Sequence, residues 1–474
     1  MPEFICKRVL TAVNCHKNFQ AGKKIEMCRN KIVCLTLLSM LLLAVCCQTC
    51  YSADTVLTLD DLPDVGGSLV ITSDSVLTVD EGESAVVDEA VLQINGTDDA
   101  VTEFEIVNNG LLTIMSTRIS CNRANFTIQN TGTIDFRALH FTVIGNSTFS
   151  LENEGSFDMN DVSVDVYGGY ANFRNTGTVT IHNGYFKDQF DGTVFTNFGF
   201  ATLSNTVFVA NGAKGRFDIE NGGDIKFHQC TFDVNYGALI NLNTDGSLLM
   251  NSSNIDVSGW SHGQQSGVNI GIGPVGGSAI WESCGVNTNG GNVNYQNLRE
   301  SRFTDCQLTA SSLDGNINIA TRGPFTFENS CLGGAGSVNV ANFDSLTLIN
   351  SFYNSSNYLT LYNFEDGEIS AENWLVKTLH EDAEVYVTNE GNITFNPSFI
   401  EDVSSSAITS VGSEGHEFVE DSGGIITVTN KGSFSGQSST DGGSDSTLIY
   451  ILAIVVAAII VIVVFFMVKK KKPN

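Results

Sequence analysis

One glycine recurs along this chain at an almost constant interval. Gly110, Gly132, Gly155, Gly177, Gly199, Gly223 and Gly246 are separated by 22, 23, 22, 22, 24 and 23 residues. Seven occurrences at that spacing require the same local structure seven times over. Two positions before each glycine stands an asparagine (Asn108, Asn130, Asn153, Asn175, Asn197, Asn221), with Thr244 as the one exception. Two and four positions after it come apolar pairs: Leu112 and Ile114, Ile134 and Phe136, Phe157 and Met159, Val179 and Ile181, Ala201 and Leu203, Ile225 and Phe227, Leu248 and Met250. Four and six positions before it the pairs run from Ile106 with Phe104 to Leu242 with Ile240, and Thr193 alone among them is polar. A third pair closes each unit, as in Phe141 with Val143, Val162 with Val164, Phe232 with Val234 and Ile255 with Val257.

Taken alone, NFTIQNTGTIDF at 125–136 is a hairpin signal, two alternating runs broken by a turn. Repeated at this period it is one corner of one coil. The register blurs over 260–297 and resumes at Gly323 and Gly391, with Asn342 and Asn363 marking two further corners. Three short alternating strands in 22 to 24 residues is the size of one turn of a parallel β-helix, each strand pairing with its equivalent in the next turn. The fold class expected is therefore all-β, a single-chain parallel solenoid. Corner glycines supply either a positive φ or a close backbone approach. Corner asparagines are expected to bond their own backbone and to tolerate the left-handed region. A leucine-rich or propeller array is the runner-up, against which stands the lack of a Leu-x-x-Leu-x-Leu signature over 55–430 and of any Trp-Asp pair.

On this repeat shape, over about residues 55–430, the chain resembles the right-handed β-helix, pectin-lyase-like superfamily. In particular it resembles the polymorphic-outer-membrane-protein-type repeat proteins of bacterial and parasitic-protist surfaces. GGSAI at 276–280 approximates the GGA(I/L/V) motif with one insertion, and FVAN at 208–211 matches FxxN once. The resemblance implies a right-handed wind and contact with a host or an extracellular matrix.

The ends of the chain set the expected topology. Residues 448–468 form an unbroken apolar run of 21 residues, about 31 Å as a helix, which matches the hydrocarbon thickness of a bilayer. Four lysines follow, placing the carboxyl terminus (469–474) in the cytosol. Residues 1–52 contain Arg29 and Lys31, an apolar stretch over 32–47 and then small residues, the layout of a signal peptide cleaved after Ser52, with translation starting at Met27. The expected organisation is a β-helix ectodomain at 53–430, a flexible stalk at 431–447 containing GQSSTDGGSDST, and the membrane helix. This describes a single-pass type I protein of the plasma membrane, the endoplasmic reticulum being the alternative.

The net charge is −28. Because eleven of the cations sit in the two ends, the part between carries about −37, a field that repels a phosphate backbone and excludes nucleic acid as a partner. The acidic surface allows weak Ca2+ binding; no cofactor is expected. Catalysis by a β-helix lyase or hydrolase wants paired carboxylates or calcium ligands with a base on one outward face. Asp60 with Asp61 and Asp98 with Asp99 are the adjacent aspartate pairs, both ahead of the regular coils. The seven histidines share no repeat phase, and Gly-His-Gly and Arg-Ile-Lys are absent.

Six sequons, at Asn95, Asn125, Asn146, Asn251, Asn354 and Asn392, are candidate glycosylation sites. The blurred stretch brings Trp260, His262 and Trp281 close in sequence, a candidate contact loop for a glycan or protein ligand. Cys230, Cys284, Cys306 and Cys331 recur near one phase, which predicts an inward thiol ladder or one disulfide between neighbouring coils. Lys471 and Lys472 in the terminal KKPN fit a dilysine retrieval signal as well as a plain stop-transfer cluster. The function expected is that of a non-enzymatic surface glycoprotein acting in adhesion, display or coating. The alternatives are a membrane-bound polysaccharide lyase or hydrolase, and a secretory-pathway resident retrieved through Lys471 and Lys472.

Overall fold

A computed structural model describes residues 55–395, apart from 64, 98–99, 190–191, 262–263, 276, 373 and 379–382, together with 399–400, 416–419, 425–430 and 433–436. The chain divides into two compact units, Met1–Val56 and Leu57–Asn474, and the second is a right-handed parallel β-solenoid of about 14 turns. At ~4.8 Å per turn its axis runs roughly 65 Å.

Each coil contributes one strand to each of three long parallel sheets. The coil containing 125–136 places Ala124–Asn130 in sheet 1, Thr133–Arg137 in sheet 2 and His140–Ile144 in sheet 3. None of these strands pairs with another of its own coil. Phe126 lies between Phe104 and Phe149, Ile134 between Leu112 and Phe157, and Phe141 between Ile119 and Val164. Burial alternates along every regular strand, so the apolar pairs point inward and stack coil on coil. Phe104, Phe126 and Phe149 form one such stack with centroids 5.1 and 5.5 Å apart; Phe186, Phe208 and Phe232 form another at 5.3 and 5.0 Å. Such contacts add about 0.5–1.5 kcal/mol per pair beyond area burial.

The corner between sheets 1 and 2 decides what its glycines are for. None of Gly110 through Gly246 in the regular series has a positive φ. Instead the glycines pile against one another: a Cβ on Gly155 would lie 2.0 Å from the Gly132 carbonyl oxygen, and one on Gly177 would lie 2.1 Å from that of Gly155. Close backbone approach is the reason, and positive φ is not. The asparagines make the expected bond to their own backbone, as in Asn130 Nδ2 to the Gly132 carbonyl (3.3 Å) and Asn153 Nδ2 to that of Gly155 (3.2 Å). They depart from expectation in being buried at the strand ends, outside the left-handed region, and in bonding across coils as well. Asn108 Nδ2 donates to Asn130 Oδ1 (2.7 Å), Asn130 to Asn153 (2.6 Å), Asn153 to Asn175, Asn175 to Asn197 and Asn197 to Asn221 (each 2.7 Å). Thr244 ends this run by accepting from Asn221 (2.8 Å) and donating to the Gly246 carbonyl. The next coil offers Ile272 and the one after it Asn297, whose Nδ2 donates to the carbonyls of Arg299, Gly323 and Pro324; a second run passes from Thr321 Oγ1 to Asn342 Oδ1 (2.6 Å) and on to Asn363 and Asn389 (each 2.7 Å). Asn108 and Asn297 share a signature. Asn108 Oδ1 and Asn297 Oδ1 are buried without a partner, because the preceding coils present Val79 and Ile272 where a donor would stand.

Twelve of the fifteen left-handed non-glycine residues described lie at the corner between sheets 2 and 3, where no glycine marks them; Arg123, Asn146 and Tyr236 lie between sheets 3 and 1. Glu89, Ser116, Ala138, Asp161, Asn183, Asn205, Gln229, Ser252, Ser283, Asp305, Asn329 and Asn350 have φ between 47° and 56°. Each donates its N–H to a carbonyl of the following coil, as in Ala138 to Asn160 (2.9 Å) and Asp161 to His182 (3.0 Å). That inter-coil bond holds a conformation costing roughly 1–2 kcal/mol for a non-glycine residue.

Over 260–297 the coil itself persists, with strands Gly267–Ile272, Ala279–Glu282 and Gly285–Asn289 in the three sheets. The register blurs because two insertions leave it. One is a short antiparallel pair, Trp260–Ser261 with Gln264–Gln265; the other is the longer connection over 273–278. At the far end His416–Val419 runs antiparallel to Ile425–Val428 and covers the open edge of sheet 1, the exposed backbone row that would otherwise invite further pairing. No helix among the described residues is long and apolar enough to cross a membrane. The run at 448–468, residues 1–52 and most of the stalk lie outside the described residues.

Candidate binding face

The outward side of sheet 1 carries three residues per coil, spaced two apart, and its character changes along the rod. Near the amino end it is acidic, with Glu103 and Glu105 on one strand and Glu152 two coils on. Partial burial, and Glu152 nearby, hold the Glu105 carboxyl above the usual range. Gln129 Nε2 donates to it at 2.6 Å.

From 239 to 362 the same face carries no ionisable carboxylate, ammonium or guanidinium. Its outward residues are Leu239, Asn241 and Asn243; Gly267, Asn269 and Gly271; Asn292, Asn294 and Gln296; Asn316, Asn318 and Ala320; Ser337, Asn339 and Ala341; Tyr358, Thr360 and Tyr362. The middle residues form an amide ladder: Asn269 Nδ2 donates to Asn241 Oδ1, Asn294 to Asn269, Asn318 to Asn294 and Asn339 to Asn318, every one at 2.9 Å. Asp218 anchors the first rung by accepting from Asn241 at 2.6 Å. Beside the ladder the third residue of each triad is small on three coils (Gly271, Ala320, Ala341), which sinks a trough of ≈ 560 Å³ along the rod. A second depression of ≈ 340 Å³ continues it past Asn243, Gly271 and Gln296 to Phe198, Glu220 and Asp245.

Aromatic groups bound both ends. Phe198 is 57% exposed at one end. At the other, Tyr362 follows Ala341 in register and packs on Phe364 with centroids 4.2 Å apart, while Phe364 stacks on Phe343 at 4.0 Å and the Arg322 guanidinium lies 5.1 Å above Phe343.

The residues expected to form a contact loop separate. Trp260 belongs to the projecting antiparallel pair, and His262 lies outside the described residues. Trp281 is wholly buried and stacks on Phe303 at 4.9 Å, so it is a core residue and takes no part in a surface loop. The reason is its phase. Trp281 is the register partner of the inward Met250, two positions after Ala279. Below the trough it meets Tyr295, whose burial pushes the phenol well above its ordinary range.

Of the sequons, Asn146 sits exposed in a turn at φ 60° and Asn392 on an exposed strand position. Asn95, Asn125 and Asn251 point outward in a half-buried setting; Asn125 Nδ2 donates to Glu103 (2.8 Å) and Asn251 Nδ2 to Glu282 (2.9 Å). Asn354 lies on the strand Phe352–Ser355.

The five described cysteines are thiols, so the disulfide alternative is absent among the described residues. Cys230, Cys284 and Cys306 point inward, whereas Cys331 leaves their phase and is half-buried. Burial pushes Cys121 up to about 12 and Cys230 up to about 11. Cys284 and Cys306 are mutual neighbours: their hydrogen bond lowers the former and raises the latter. Asp61 is exposed and lowered by hydrogen bonds from the Thr58 N–H and hydroxyl; Asp98 and Asp99 lie outside the described residues, as do Lys471 and Lys472. Among the described residues no three His, Cys, Asp or Glu side chains are arranged to hold a metal ion.

The face was open to sequence reasoning that went unused. In five successive coils an Asn stands three residues before the buried corner position, from Asn241 before Thr244 to Asn339 before Asn342. The repeat was read through its inward residues, where the apolar pattern is strongest. Comparison with protein-family models, with curated proteins and with solved structures finds no match for the chain.

Proposed function

We propose that this chain is a non-enzymatic surface glycoprotein whose rod stands off a membrane and makes contact through its side. The observation that carries the reading is the change of character along sheet 1, where an acidic molecule sets aside six consecutive coils for an uncharged, amide-ordered face. A rod needing only to be soluble has no reason to exclude charge there. The apolar run at 448–468 and the basic residues after it supply the tether, and the leader-like segment at 1–52 supplies entry to the secretory pathway. In this reading the chain groups with the pectin-lyase-like β-helices and the polymorphic-outer-membrane-type surface repeats, and its sequons carry glycans. A lyase or hydrolase would want carboxylates along its groove; the main trough offers amides, with Glu220 and Asp245 confined to the adjoining depression.

Labelling of intact cells with a membrane-impermeant reagent tests the assignment, run in parallel with Lys471→Ser and Lys472→Ser together. Signal from the unaltered chain is the expected result. Signal from the variant alone would replace surface display with retrieval to the endoplasmic reticulum.

A further inference from the structure

We infer that the trough of sheet 1 binds an uncharged polysaccharide, laid along the rod axis against the ladder Asn241, Asn269, Asn294, Asn318 and Asn339. This rests on the reading above and names the class of ligand it would contact. Each primary amide has two N–H donors and an oxygen with two lone pairs. The ladder consumes one donor and one lone pair per rung, leaving one of each for a ligand at every coil. The result is an in-register series of donor and acceptor pairs at a ~4.8 Å repeat, about 19 Å from first rung to last. Hydroxyls donate and accept alike, so a polyhydroxylated chain can satisfy such a series in either direction.

The remaining chemistry narrows the occupant. A polyanion would meet no cation at the outward positions from 239 to 362 and would lie on a strongly acidic protein. A peptide strand binds by sheet backbone at an open edge, and this backbone is already committed to its two neighbouring coils. A protein interface draws its strength from apolar or arginine anchors at its centre; the middle of this face has none. The trough volume of ≈ 560 Å³ falls within the range of small-ligand sites. Gly271, Ala320 and Ala341 give it a flat floor, and Tyr362 with Phe364 gives it an aromatic end on which a sugar ring can stack.

The test uses the full-length protein in detergent, with laminarin, dextran and mannan as uncharged probes and polygalacturonate and heparin as anionic ones, by affinity electrophoresis and calorimetry. The expected result is binding of at least one uncharged polymer that persists in 1 M salt, where ionic attraction is screened, and no binding of the anionic pair. Ala320→Gln with Ala341→Gln fills the trough using a side chain the fold already carries at the equivalent Gln296, and should weaken binding at least tenfold. Thr326→Gln on sheet 2 should change nothing. Failure of all three neutral polymers, loss of binding in high salt, preference for the polyanions, or equal binding by the filled variant would overturn the proposal. So would self-association through this face in sedimentation, or shortening of the polymer on incubation. Binding without surface exposure in cells would leave this inference standing and overturn the surface assignment alone; the converse would separate them in the other direction.

Discussion

Replacing Asn153 by alanine tests the physical account of the solenoid most directly. Asn153 is 1% exposed, near the middle of the longest ladder run. Its Nδ2 donates to Asn175 Oδ1 (2.7 Å) and to the carbonyls of Gly155 (3.2 Å) and Thr178 (3.0 Å), and its Oδ1 accepts from Asn130 (2.6 Å). In Asn153→Ala, Asn130 keeps two carbonyl acceptors, Gly132 and Ser156, so its amide remains satisfied. Asn175 Oδ1 loses the donor from the coil before it and becomes a buried orphan, costing about 1–3 kcal/mol. Adding about 1 kcal/mol net for the bonds to the carbonyls brings the expected loss to about 3 kcal/mol. Asn153→Thr should cost about half as much, because Thr321 Oγ1, which donates to Asn342 Oδ1 at 2.6 Å, shows that threonine can supply the donor that the asparagine of the following coil needs. Ile272→Asn makes a sharper case. Burying an amide in a core costs roughly 1–3 kcal/mol when nothing receives it, yet here the new Nδ2 would supply the donor that Asn297 Oδ1 lacks, so a loss below about 1 kcal/mol is expected. A solenoid need not unfold in one step, so native-state hydrogen exchange resolved coil by coil is the assay, with outward-facing Asn172→Ala as reference. If Asn153→Ala costs no more than Asn172→Ala, or if threonine is as harmful as alanine, the ladder is an ornament of the fold and the reasoning fails.

Gly155→Ala, whose Cβ would meet backbone oxygen at 2.0 Å, should cost about 3 kcal/mol or more, whereas Gly66→Ala, in open space at φ 78°, should cost about 1 kcal/mol in the same exchange measurement. Cys284 and Cys306 occupy equivalent places on adjacent coils, ~4.8 Å apart and within disulfide reach. Glutathione disulfide should link them, releasing two glutathiones, and closing the intervening loop should add about 3 kcal/mol, read by peptide mapping after alkylation; free thiols throughout would refute the pairing. Tyr295 and Tyr353 are fully buried with phenols pushed above their ordinary range, so the folded state holds their protons longer than the unfolded state does. Their contribution is complete below pH about 10, the unfolded phenol value, and is lost as pH rises through it towards the folded values. Phenolate absorbance from these two should therefore appear only with unfolding, and Tyr295→Phe with Tyr353→Phe should flatten the alkaline loss.

Much of this architecture was legible in the residues themselves. A solenoid reuses one environment every coil, so the inward pairs, the glycine column and the buried asparagines each repeat with the same period, and alternation alone says which way they point. Trp281 could have been placed inside by the same counting, since it falls two positions after Ala279 as Met250 does after Leu248; the insertions over 260–266 and 273–278 hid the phase. The left-handed corner was invisible because its requirement is met by an inter-coil hydrogen bond that residues as different as Glu89, Ala138 and Asn205 accept equally. The two explanations offered for the glycines, positive φ or close approach, were equivalent on sequence and were separated only by the 2 Å gap to the next coil.

Coil length, the three strands of each coil and the division of residues between inside and outside follow from local periodicity, and so stand in the residues alone. What each residue meets across the ~4.8 Å between coils follows only from the stacking. There, asparagines more than twenty residues apart become a buried ladder on one side of sheet 1 and an open amide face on the other.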